Sequence, residues 1–163
     1  MEFGIWLDGV ILNQDITDTL SSIYKGIQAK VEPSTEINPD WSDFYKKIRD
    51  RGKLFILSPF SKEITQGVLN SLGINESFVY NNGRTKPSKE PTERLVNEFK
   101  IDPLRLVIIG SSPLDLLSAR FFDSRIKVAC VVRRRDCSRY SPFVMAKNLH
   151  MLFESLNRLG LLD

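Results

Sequence analysis

Residues 3–12 (F-G-I-W-L-D-G-V-I-L) form a short apolar run that breaks at Asp8-Gly9. Such a run suits a parallel strand buried on both faces, and the break delivers a carboxylate to the rim of a sheet. Further apolar runs fall at residues 53–58, 77–80, 105–110 and 127–132. Helical spacing fills the intervals. Ile16, Leu20, Ile23, Tyr24 and Ile27 share one face, with Asp15 as a candidate cap. Trp41, Phe44, Tyr45 and Ile48 do the same before Arg51-Gly52, a helix stop. Ile64, Val68 and Leu72 end at Gly73, and Leu95, Val96 and Phe99 precede Asp102-Pro103. Leu114, Leu117 and Phe121 follow Pro113, a favoured first helical residue. Residues 143–159 read as one closing amphipathic helix, and residues 31–40, with Pro33 and Pro39, read as a loop.

Strand and helix signals in alternation predict a parallel sheet of about five strands between two helical layers. This is a three-layer α/β/α, Rossmann-like arrangement, and 163 residues suit one such domain. Ligands in these folds sit at the carboxyl ends of the strands. The positions of interest are therefore Asp8, Ser58, the loop 84–89, Ser111 to Asp115, and the loop 133–139.

Composition narrows the function classes. No apolar run approaches the ~20 residues of a membrane helix, and no basic-then-apolar leader opens the chain, so a cytoplasmic location is expected. Cys130 and Cys137 make no disulfide framework, and with the single His150 they make no zinc site. A lone His also argues against Ser–His or Cys–His catalysis. The net charge of +3 is too small to imply nucleic acid by itself. Yet Arg133, Arg134, Arg135 and Arg139 crowd into seven residues beside Tyr140. They could grip the phosphates of a nucleic acid or an acidic protein surface. Cys137 among them could have a lowered pKa, but no partner group supports a redox role.

Four landmarks in order resemble those of the haloacid dehalogenase (HAD) phosphatase superfamily. The first is the apolar run ending W-L-D-G-V, where the family has D-x-D-G-[TV]; the second is the run ending at Ser58; the third is Lys86-Pro87; the fourth is the strand followed by G-S-S-P-L-D, where the family has G-D-x-x-x-D. The resemblance covers nearly the whole chain. It implies a catalytic set of Asp8, Ser58 and Lys86, with Asp115 and Asp8 as the residues left to hold magnesium.

The departures strike the chemistry. Trp6 stands at the family's nucleophile position, and an indole offers an N–H donor but no nucleophilic lone pair. Ser111 replaces an acid that the family uses to hold magnesium. The expectation is thus a catalytically degenerate HAD-like domain over residues 1–163 without a substantial cap. It would need no cofactor and act as an interaction or regulatory subunit through the open carboxyl edge of its sheet. A protein partner is then expected, no membrane is, and a dimer is compatible. Two alternatives stand beside it: a divergent magnesium-dependent phosphohydrolase that uses Asp8, and phosphate-backbone binding through Arg133, Arg134, Arg135 and Arg139.

Overall fold

The computed structural model describes residues 1–162. Its strands are β1 (Glu2–Trp6), β2 (Lys53–Leu57), β3 (Ser77–Val79), β4 (Leu106–Gly110), β5 (Lys127–Val131) and β6 (Val144–Ala146). Its helices are α1 (Thr17–Tyr24), α2 (Trp41–Ile48), α3 (Lys62–Leu72), α4 (Glu90–Phe99), α5 (Pro113–Phe122) and α6 (Leu149–Arg158). All strand pairs are parallel, in the order β3-β2-β1-β4-β5-β6. The chain departs from β1 toward one edge and returns at β4 to build the other. Right-handed crossovers then place helices on opposite faces of the two halves. Contacts agree: α2 packs with α6, while α5 packs with α4 and α1.

The central strands are apolar because both of their faces are covered. Every residue of β4 is buried, as are Phe3 to Trp6 of β1. Burial at about 25 cal/mol per Å² of apolar surface makes this central layer the main source of stability. Gly4 has a packing reason: a methyl there would lie 2.8 Å from Ile108 Cδ1 and 3.0 Å from Leu95 Cδ2. Two helices begin or end on clear signals. Ser61 caps α3 and Gly73 closes it at φ 68°, while Ser112 and Asp115 form a capping box at the start of α5.

Three local expectations change. The sheet has six strands, because Val144–Ala146 pairs with β5 before α6 begins at Leu149. The closing segment is therefore strand then helix. The helix after β1 stops at Tyr24, so Ile27 lies beyond it, and both residues are exposed. Lastly, Cys130 at the end of β5 and Cys137 in the following loop are joined by a disulfide, and both are fully buried. No helix among the described residues is long and apolar enough to cross a membrane.

Candidate active site

The strand order reverses between β1 and β4, and a ligand crevice is expected outside the carboxyl ends of that pair. Asp8 lies two residues beyond the end of β1, and Asp115 sits in the first turn of α5, just after β4. Lys86 enters from the loop between β3 and α4. The three side chains meet. Lys86 Nζ donates to Asp8 Oδ2 at 2.7 Å and to Asp115 Oδ1 at 2.5 Å. Its third face lies against the ring of Trp6, 4.1 Å from the centroid. Such a cation–π contact is worth about 2 kcal/mol when desolvated. The ammonium is 1% exposed, Asp8 5%, and Asp115 and Trp6 not at all.

Backbone geometry fixes Asp115. Its Oδ2 accepts from the amides of Ser111 at 2.8 Å and Ser112 at 3.1 Å. The carboxylate lies directly over Gly110, where a methyl would come 2.5 Å from Oδ2. Asp8 is held far more loosely, since its Oδ1 is buried and has no hydrogen-bond partner. Two donors are also buried and unpaired: Nε1 of Trp6, whose ring lies against the ammonium, and Oγ1 of Thr85, the residue before Lys86. Orphaned polar atoms are costly in an interior, and those of Asp8 and Trp6 belong to the two side chains in contact with Lys86. Burial opposes the charge of Lys86, but the carboxylates of Asp115 and Asp8 outweigh it and hold the ammonium above the ordinary lysine range.

Two cavities touch the cluster, one at Lys86 and one at Asp8. A cavity of about 240 Å³ is walled by Leu20, Ile23 and Tyr24 on α1 and by Arg84, Thr85 and Lys86 on the loop. The crevice at Asp8 between Ser111 and Arg133 to Arg135 measures about 10 Å³, about the least that admits one water. A larger cavity of about 410 Å³ lies between α2 and α6, but no group of the buried cluster lines it.

The other sequence-derived candidates go elsewhere. Ser58 is buried, and its hydroxyl is engaged within its own turn. It lies 2.7 Å from Thr65 Oγ1 and accepts from the Phe60 amide at 3.1 Å. Thr65 gives its proton to the Phe60 carbonyl, so Ser58 is the donor to Thr65. No hydrogen bond joins Ser58 to Lys86, Asp8 or Asp115.

The arginine loop is also engaged within the chain. Arg133 makes a bidentate pair with Asp40, at 2.7 and 2.8 Å, and donates to the carbonyls of Gly9 and Val10. Arg134 donates to Asn13, and Arg135 pairs with Asp15 at 2.7 Å and Asp18 at 3.0 Å. Arg139 lies against the Tyr140 ring. Burial alone would raise Asp40, yet the hydrogen bonds from Arg133 and the Leu149 amide hold it below the ordinary carboxylate range. Asp15 follows the same pattern: burial raises it, and Thr17 and Arg135 bring it down.

Magnesium does not fit this donor set. Mg²⁺ demands octahedral oxygen ligation and usually draws on one or two carboxylates. Both oxygens of Asp115 are occupied, Trp6 brings no carboxylate, and Asp8 Oδ1 is the one unpaired carboxylate oxygen of the cluster. Ser111 brings a neutral hydroxyl, packed against Gly9 where a methyl would sit 2.0 Å from its Oγ. No group of three His, Cys, Asp or Glu side chains suited to a metal occurs among the described residues.

Sequence reasoning missed Thr85 and the arginine beside it as lining residues. Both lie in the loop it had marked, but nothing in the residue pattern says which side chains of a loop face inward.

Comparison with known proteins follows from this geometry. A family model for haloacid dehalogenase-like hydrolases matches residues 7–123. No curated protein matches the chain by sequence. Among solved structures, one similar chain is a HAD family hydrolase from Deinococcus radiodurans with bound phosphate and sodium (14% identity, 99% of this chain and 97% of that one, TM-score 0.73). Another is YfnB from Bacillus subtilis, assigned as a HAD hydrolase and bound to magnesium (11% identity, 96% and 98%, TM-score 0.75). A third is assigned as a phosphoglycolate phosphatase from Haemophilus somnus (14% identity, 94% and 96%, TM-score 0.71). These likenesses carry the fold. The expectation of a catalytically degenerate interaction subunit is overturned by the match to a hydrolase model. It rested on two replaced residues, Trp6 and Ser111, and took no account of the unpaired groups on Asp8, Trp6 and Thr85.

Proposed function

The chain belongs to the haloacid dehalogenase-like hydrolase family, and from that premise we propose that it hydrolyses phosphoric esters with Asp8 as the reacting carboxylate. One observation carries the reading. Lys86 joins Asp8, whose Oδ1 is an unpaired carboxylate oxygen, to a cavity of about 240 Å³ that Lys86 itself lines together with Thr85, whose Oγ1 is an unpaired donor; Trp6, against the ammonium, carries a second unpaired donor, Nε1. A phosphoryl group needs that complement: one oxygen to attack phosphorus and N–H or O–H groups for its own oxygens.

Lys86 fixes Asp8 through Oδ2, which leaves Oδ1 to form the bond to phosphorus. As that bond forms, the bond from phosphorus to the leaving oxygen breaks, and the alkoxide takes a proton from water. Water then cleaves the aspartyl phosphate, returning the Asp8 carboxylate and releasing phosphate and a proton. The ammonium of Lys86 offsets the negative charge that gathers around Asp8, and Arg84 on the cavity wall adds a second positive charge. Leu20, Ile23 and Tyr24 line the cavity in which a leaving group would lie.

Hydrolysis of an aryl phosphate, with Asp8→Asn prepared identically, tests the reading. Turnover by the native protein that falls to background in a folded Asp8→Asn is the expected result. Equal rates in the two proteins, or none in either across a panel of small phosphate esters, would sink it.

A further inference from the structure

We infer that the ammonium of Lys86 occupies the place a divalent cation would take between Asp8 and Asp115, so that this site works without a metal ion. The inference concerns the same cluster as the proposed hydrolysis, but its readout is metal binding and does not depend on turnover.

Two buried carboxylates that converge on one point form a cation site whatever the cation is. Here that point is filled from within the chain. Lys86 Nζ lies 2.7 Å from one carboxylate and 2.5 Å from the other. An ammonium has three protons. Two go to the carboxylates, and the Trp6 ring lies against the remaining side at 4.1 Å. A metal ion entering this point would have to expel a lysine that is 1% exposed and already satisfied. It would also meet an indole in place of a third oxygen ligand, and Ser111 packed against Gly9 where a further acid would have to stand.

The replacement of ligands and the position of the lysine therefore form one device. Trp6 removes a charge and supplies a π face, and the lysine then balances both remaining acids. Two acids and one ammonium sum to a single negative charge, close enough to neutral to stay buried. A dication beside the ammonium would leave an unbalanced positive charge, and one that displaced it would strip a buried lysine of both counter-charges; either is strongly disfavoured.

Manganese is the probe, because its bound and free forms are distinguished by electron paramagnetic resonance. The native protein should leave the signal of free Mn²⁺ unchanged, and its melting temperature should be the same in Mg²⁺ and in chelator. Lys86→Met removes the internal cation and keeps both acids. It should bind Mn²⁺ at least about tenfold more tightly than the native protein, and gain thermal stability when Mg²⁺ is added. Asp8→Asn in that background should abolish both effects. If Lys86→Met does not fold, Lys86→Gln, whose amide still donates to one acid, serves in its place. Stoichiometric Mn²⁺ binding by the native protein that is lost in Asp8→Asn would overturn the inference. So would a folded lysine variant that binds no more Mn²⁺ than the native chain. Hydrolysis without metal binding would support both this inference and the proposed function. Metal-dependent hydrolysis would support the function alone.

Discussion

Two groups of charged side chains meet at the carboxyl edge of the sheet, one around Lys86 and one around Arg133 to Arg135. The arginine loop carries the denser charge, and the chain has matched its inner half: Asp40 takes Arg133, Asp15 and Asp18 take Arg135, and the Gly9 and Val10 carbonyls complete Arg133, while Arg134 and Arg139 are exposed. The lysine cluster has less charge and is deeply buried, yet it leaves Asp8 Oδ1, Trp6 Nε1 and Thr85 Oγ1 unpaired. Charge density along a sequence is therefore a poor guide to binding capacity. What matters is the charge and hydrogen-bonding potential left over after the fold has taken its share.

The sharpest way to break this comparison is to remove each cation in turn. Lys86→Met strands two buried acids, and the expected loss is about 3–5 kcal/mol by urea denaturation. A loss below ~1 kcal/mol would mean that the cluster is wetter than the structure has it. Arg133 is 18% exposed at its side chain. Removing it as Arg133→Met should cost less, about 1–2 kcal/mol, because water can reach what it leaves behind.

Acid sharpens the contrast further. Asp40 and Asp15 are held below their ordinary value of 3.8. Their contribution is present above that value and is lost as pH falls through their lower folded values. Lys86 behaves in the opposite sense. Held above 10.5, its contribution is present below that pH and is lost as pH rises through the folded value. A pH series of denaturation curves should thus show an acid limb that flattens in Arg133→Met and an alkaline limb that disappears in Lys86→Met. The smallest effect is at Arg135, whose pairs with Asp15 and Asp18 are partly exposed. Arg135→Gln should cost under ~1 kcal/mol, and the difference should vanish in molar salt.

Much of this was legible in the amino-acid sequence. Asp8, Lys86 and Asp115 stand in the segments that follow recognisable apolar runs, and a parallel sheet brings those segments to one edge. Their convergence follows from topology. Other features leave no local trace. Asp40 and Arg133 are 93 residues apart, and neither position says that it will neutralise the other. Val144–Ala146 is only three residues long, and its apolar character merges with the helix that follows. The Cys130–Cys137 pairing depends on the loop folding back onto β5, which spacing alone does not dictate. Ser58 shows the reverse failure. Its place at the end of β2 suited a site residue, but the nearby Thr65 and Phe60 satisfy its hydroxyl.

The buried lysine also bears on how the chain reaches its fold. Asp8, Lys86 and Asp115 come from three separate segments, and Lys86 and Asp115 alone are 29 residues apart. None of the three can leave water cheaply before its counter-charge arrives, so the cluster closes only after β1, β4 and α5 are in place. Contacts that form this late are absent from the folding transition state. Substitutions among the three residues then leave refolding rates nearly unchanged and accelerate unfolding instead. Stopped-flow unfolding that is faster in such variants, with refolding unchanged, would make the site that holds the free carboxylate oxygen a latch on the native state.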